Sequence, residues 1–290
     1  MKISLSNEIK SDYESFACLI KFAEMTKNRV FDNIDISMKN MYWFDANMCS
    51  TFGAILYKIG RGPNVVTLSN IPRNIETILS KNGFLSHYGK VKSQDTYGTT
   101  IEYKRFEPRD DRYFGAYIEE NLTGKGIPEM SKGLRKKFVE SIFEIFSNAI
   151  IHSKTQMGIF SCGQFFPKKN RLDFSVTDLG IGIYQNVKEH TKQELTAEEA
   201  IKWAMEGKNT TKVGRIPGGL GLKLLREFIK MNKGKIQIVS DKGYWELSEG
   251  EASSKSFDEP FRGTTVNIEI NTTDTRSYCL SSEIQPEDIF

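Results

Sequence analysis

Apolar positions along this chain alternate between two periods. Leu134, Phe138, Ile142, Ile145, Phe146 and Ala149 recur at helical spacing and predict one long helix, with Ser131 as its cap. Leu172, Phe174 and Val176 alternate as a strand. Leu220, Leu222, Leu224, Leu225, Phe228 and Ile229 predict a second helix, closed by Gly234. The first third has its own rhythm. Lys10 to Lys27 reads as a helix with Ser11 as cap. Ile34, Ile36 and Met38 read as a strand, and Ala46 to Ile59 as a helix capped by Asp45 and closed by Gly60. Val65, Val66 and Leu68 read as a short buried strand. Asn70 then caps a helix with Pro72 near its first turn and Gly83 at its end, and Thr99 to Tyr103 is a further strand. Strands alternating with helices predict a parallel α/β sheet for residues 1–105. Residues 106–130 are a polar connector bearing Gly and Pro, whose Tyr113, Phe114, Tyr117 and Ile118 can pack it down. Residues 131–272 form a second domain, and 273–290 a polar, loosely ordered tail.

A second, polar stripe shares the long helix. Glu140, Glu144, Asn148 and His152 recur every four residues, so they share one face. A carboxylate one turn before an amide suits a phosphate site. Asn148 offers Mg²⁺ a hard oxygen, and Glu144 can take a proton from an attacking hydroxyl or water. The plain alternative is a solvated face. Asp178, Gly180 and Gly182 follow the alternating strand. Such glycines let backbone approach a planar base, and the carboxylate can accept from an amino group such as adenine N6. By itself the segment would pass for an ordinary turn. Gly219 and Gly221 open the later helix, where N–H groups and the helix dipole attract phosphate. Before them residues 207–219 carry Lys208, Lys212 and Arg215. This basic loop reads as a lid over phosphates or as a solvated loop.

Taken in order with Gly263-Thr264-Thr265-Val266, these segments resemble the ATPase family of gyrase, the heat-shock chaperone, histidine kinases and MutL (GHKL). The resemblance spans about residues 110–272. It implies an α/β sandwich, with helices on one face of a mixed sheet and ATP·Mg²⁺ between helices and lid. Asn148 would hold the metal and Glu144 would be the general base. Asp178 would read adenine, supported through water by Thr264. Gly180, Gly182, Gly219 and Gly221 would give backbone room, and Lys212 would lie over the phosphates. Pro217 stands where many relatives have another glycine. The first and last segments are most similar to the anti-sigma-factor serine kinases. Only His87, His152 and His190 exist, none on a long hairpin suited to a phosphoacceptor His, which argues against the histidine kinase branch. The segment Met41 to Ala54 resembles the strand-to-helix turn of the anti-sigma-antagonist (STAS) domain. Here Ala46 and Asn47 follow Asp45, so the phosphorylation switch of that turn looks lost; a generic α/β module fits the segment as well.

Composition narrows the partners. A net charge of +3 with mixed signs argues against nucleic acid or a membrane surface. The four cysteines lack metal spacing and suit a reducing cytosol, and no signal peptide or long apolar run is visible. The expectation is a cytoplasmic, homodimeric two-domain α/β protein, a STAS-like module before a GHKL ATP-binding domain. Its activity would be slow Mg²⁺-dependent ATP hydrolysis coupled to lid closure and a protein partner. The alternatives are a serine/threonine kinase acting on a STAS protein and a non-catalytic nucleotide sensor. Tyr42, Trp43, Phe44 and Phe52 are the expected dimer surface.

Overall fold

The computed structural model describes residues 1–151, 153–206 and 220–283. Two sheets of opposite character organise the mixed α/β chain. The first part runs β1 (Lys2–Ser4), β2 (Glu8–Ile9), α1 (Tyr13–Thr26), β3 (Asn33–Ser37), β4 (Trp43–Phe44), α2 (Cys49–Arg61), β5 (Val65–Ser69) and α3 (Arg73–Lys81). Its main sheet, β1-β3-β5, is parallel, as the alternation predicts. The second part runs β6 (Thr100–Phe106), α4 (Asp111–Leu122), α5 (Lys132–Ile151), β7 (Ile159–Phe166), β8 (Arg171–Asp178), α6 (Gly182–Thr191), α7 (Ala197–Met205), α8 (Leu220–Asn232), β9 (Lys235–Ser248) and β10 (Glu251–Asn271). Its sheet, β6-β7-β8-β10-β9, is antiparallel at every pairing, not mixed as the family resemblance implies.

Several local expectations change for physical reasons. The cap of α1 is Asp12, whose carboxylate accepts from Ser15 N, not Ser11. Helix α2 runs through Gly60 to Arg61. Asp45 makes no capping bond, because its carboxylate is drawn into an ion cluster described below. Asn70 does not cap α3 either; Pro72 holds that position. Strand β5 is an edge, and Val65 is exposed rather than buried. The strand expected at 99–103 forms as β6, but it joins the larger antiparallel sheet beside β7. The connector is mostly α4. Phe114, Tyr117, Ile118 and Leu122 enter the second core, and Phe114 stacks on Phe146 at 4.1 Å, while Tyr113 points outward. Residues 273–283 fold back on the domain, with Tyr278 buried 5.3 Å from the Phe228 ring. Phe44 and Phe52 are core residues and Trp43 is half-buried, so of the expected aromatic surface only Tyr42 is exposed. Among the described residues no helix is long and apolar enough to cross a membrane.

Strand β8 shows how the two parts join. It is buried on both faces, as a central strand covered on each side must be. Leu172, Phe174 and Val176 enter the core shared with α5 and α8. Of the intervening residues, Ser175 and Thr177 meet the first part instead, and Asp173 meets Arg171. Ser175 Oγ donates to Asn47 O at 2.6 Å, Ser50 and Ser175 hydroxyls meet at 2.6 Å, and Thr51 meets Thr177 at 3.3 Å. Thus α2 lies across the face opposite α5. The one-sided sandwich implied by the resemblance becomes two-sided.

At one end of this polar seam stands Arg171. Its guanidinium reaches Asp45 at 2.9 Å, Asp173 at 3.1 Å and Glu269 at 3.4 Å. Lys235 reaches Glu269 at 3.3 Å. Ser11 N and Trp43 Nε1 donate to the two oxygens of Asp45. Asp173 has its Arg171 contact but no well-aligned hydrogen bond, and burial pushes its carboxyl well above the usual range against the pull of that guanidinium.

Removing one partner of such a buried cluster leaves uncompensated charge. Arg171→Ala is expected to cost about 3–5 kcal/mol by urea denaturation at neutral pH. Asp173 carries a raised folded pKa, so its contribution is greatest at acid pH and fades as pH rises. The Arg171→Ala penalty should therefore shrink toward acid pH. A penalty independent of pH would mean that Asp173 is not the charge left behind.

Candidate functional site

The site is built where β8 ends. Register places Thr264 of β10 and Ile159 of β7 on either side of Asp178. The Asp178 side chain is only 4% exposed. Gly180 N donates to its Oδ1 at 2.8 Å. Burial pushes its carboxyl from the usual 3.8 up to about 7; the Gly180 amide, the Ser153 hydroxyl and the Thr264 amide pull the other way.

The turn after Asp178 is held by close approaches that only glycine permits. A Cβ on Gly180 would lie 2.0 Å from Ser153 O, and Ile181 N donates to that same carbonyl at 2.8 Å. Gly182 has φ +78°, and a Cβ there would meet Ser240 Oγ at 2.9 Å. Part of the room expected for a ligand is thus taken up by Ser153, just past α5, and by Ser240 of β9. These glycines have a structural use before any ligand is considered. Ser240 ties the turn together. Its hydroxyl donates to Gly263 O at 2.8 Å, accepts from Ile183 N at 2.8 Å and meets Thr264 Oγ1 at 3.1 Å.

Asp178, Gly180, Gly182 and Thr264 therefore come together. Glu144 and Asn148 are both half-buried on α5. Glu144 lines a cleft of about 480 Å³ between α5, α8 and the C-terminal segment, with Lys137, Glu140, Ser141, Lys223 and Glu227 on its walls. Asn148 lies one turn further along, between that cleft and the Ser153 end of the helix beside Asp178. Gly221 lies in the first turn of α8. Lys212, Gly219, His152, Lys208, Arg215 and Pro217 fall outside the described residues. Among the described residues no three His, Cys, Asp or Glu side chains converge as a metal cage.

Sequence reasoning missed Ser153 and Ser240. Ser153 directly follows the polar stripe, a signal that could have been read. Ser240 reaches the site only through the β9–β10 register, which sets it opposite Thr264. No spacing along the chain announces that pairing.

The raised pKa of Asp178 has a measurable consequence. Its proton stabilises the folded chain at acid pH, and that stabilisation is lost as pH rises from about 3.8 through about 7. Asp178→Asn keeps the Gly180 acceptor and removes the titration. Relative to wild type, the variant should gain stability across that window, at up to about 1.4 kcal/mol per pH unit. Parallel melting curves from pH 4 to 8 test this; identical pH profiles would show that Asp178 is not held protonated.

No protein-family model matches the chain, and no curated protein matches it. Among solved structures it is similar to the histidine kinase domain of the Erythrobacter litoralis EL346 blue-light activated histidine kinase. That likeness is 14% identical, covers 88% of this chain and 93% of the other, and has a TM-score of 0.29. At such a score it defines neither the fold nor the activity.

Proposed function

We propose that this chain is an ATP-binding regulatory protein of the GHKL type, with slow Mg²⁺-dependent hydrolysis. The observation that carries the reading is Asp178. It is a buried carboxylate at the end of a central strand, beside a glycine turn, and would accept from the exocyclic amino group of adenine. A polar donor of the ligand would favour its ionised form and offset the burial that now raises its pKa. Thr264, in register with Asp178, would support the base through water. The N-terminus of α8, with Gly221 in its first turn, would face the phosphates. Lys212 and the rest of the basic segment would close over them, and Gly219 would give the backbone room.

Mg²⁺ needs only one or two protein oxygens when phosphates supply the others, and Asn148 would supply one. Bound there, the ion would neutralise charge on the transferring phosphoryl group. Glu144 would orient the attacking hydroxyl and accept its proton. Whether that hydroxyl is water or a protein side chain separates the ATPase from the serine kinase reading. The cleft beside Glu144 gives the kinase reading a place for an acceptor segment.

The first part of the chain is proposed as a STAS-like module serving as a fixed cover. Ser50 and Thr51 are fully buried against β8 and β10, so neither is available as an acceptor from a partner kinase. The proposed location is the cytoplasm, where ATP is available. Homodimerisation is proposed on family analogy alone, since Phe44 and Phe52 fill the core and only Tyr42 of the four aromatic side chains is exposed.

Nucleotide binding to the folded state should raise the melting temperature; ligand at about 100 times its Kd adds about 2.7 kcal/mol. Asp178→Ala is expected to abolish that shift. Glu144→Ala should keep the shift and lose phosphate release or transfer, and Asn148→Ala should lose the Mg²⁺-dependent part. Equal shifts in wild type and Asp178→Ala would remove Asp178 from the site. Undiminished turnover in Glu144→Ala would leave the general base elsewhere.

A further inference from the structure

The cleft at Glu144 is not closed by helices alone. Residues 273–283 cross the α5–α8 pair and supply its remaining wall through Leu280, Ser281 and Ser282. The crossing is anchored at both helices. At the end of α8, Asn232 Nδ2 donates to Asp274 Oδ2 at 3.1 Å, and Arg276 binds Met231 O and Asp274. At the start of α5, Ser131 N donates to Tyr278 O at 2.8 Å and Tyr278 N to Glu129 O at 2.9 Å. Glu283 accepts from Leu280 N at 2.9 Å and from the Ser131 hydroxyl, which itself accepts from Leu134 N to cap α5. Between these anchors Ser281 and Ser282 begin a short 3-10 turn and are both exposed. Two hydroxyl-bearing residues thus stand on the same cleft as the candidate general base.

We infer that Ser281 and Ser282 form a phosphoacceptor site for the chain's own ATP chemistry. This rests on the ATP-site reading above and extends it by naming the acceptor. The step balances with ATP as the only co-reactant. A serine Oγ lone pair forms the new O–P bond to the γ-phosphorus as the bond from that phosphorus to the β–γ bridging oxygen breaks. ADP leaves with that electron pair. The hydroxyl proton passes to the Glu144 carboxylate and then to water. Lys137 and Lys223 on the walls supply positive charge for the phosphoryl group in transit.

The product would disturb its own anchor. A phosphoserine carries about −1.5 to −2 charges at neutral pH. It would sit next to Glu283, whose carboxylate holds the segment to the α5 cap, and in a cleft that already holds Glu140 and Glu227. Repulsion would release the segment and open the cleft, so one turnover would change the access of later acceptors.

The test uses the full chain with Mg²⁺ and ATP labelled in its γ-phosphate. Melting shift, free phosphate and label on the protein are followed together, with site mapping of the peptide that holds residues 277–283. The expected result is label on Ser281 or Ser282. Ser281→Ala with Ser282→Ala should remove it, and Glu144→Gln should lower it at least tenfold while the ATP-dependent melting shift remains. A melting shift and free phosphate with no label on this peptide would overturn the inference and leave the ATP-site reading standing. No melting shift and no turnover would overturn both. Label on the peptide at an unchanged rate in Glu144→Gln would overturn the route through Glu144.

Discussion

The structure depends on one buried ionic contact, Arg171 with Asp45 and Asp173. Arg171 opens the central strand of the larger sheet, whereas Asp45 stands at the strand-to-helix turn of the first part. Three carboxylates around two cations would be costly to bury singly, so each fixes the position of the others. From this corner the seam runs along β8 through Ser175 and Thr177 to Thr265, alternating with Ser50 and Thr51 of α2. Polar groups that must all find partners tolerate one register only. The first part is therefore seated on the sheet rather than tethered to it.

That seating has a consequence for function. The sheet's other face carries α5 and α8, and the site lies where β8 leaves the sheet toward α6. A rigid β8 delivers Asp178 to a fixed point, and the turn beyond it is pinned by Ser153 and Ser240. One helix connects the two chemical regions. Ser153, two residues past its end, meets Asp178, and its middle presents Glu144 to the cleft shared with α8. Helix α8 also touches the segment at Tyr278, which is hydrogen-bonded to the start of α5.

Much of this was legible in the sequence because local periodicity suffices for it. The capped α5, the alternating β8 and the parallel arrangement of the first sheet follow from apolar spacing, and that spacing reflects which face each element must bury. Asp178, Gly180, Gly182 and Thr264 likewise stand out in short segments, and the structure gathers them. What spacing could not convey was a competition between local and distant partners. Asp45 has the right position for a helix cap, yet a guanidinium from a strand far along the chain takes its carboxylate. Phe44 and Phe52 look like a surface until α1 and the residues around Phe84 close over them.

The sequence by itself determined α1, α2, α3, α5, α8, β3, β5, β6 and β8, the class of the fold and the residue types gathered at the end of β8. Those properties depend on neighbours within a few turns of chain. Tertiary structure decided the antiparallel order of the larger sheet, the assignment of β6 to it and the burial of both its faces. It also decided the arrival of Ser240 beside Thr264 and of the C-terminal segment beside Glu144. Each of these is a pairing across a long stretch of chain. Its free energy comes from burial and from satisfied hydrogen bonds that exist only once both partners are in place.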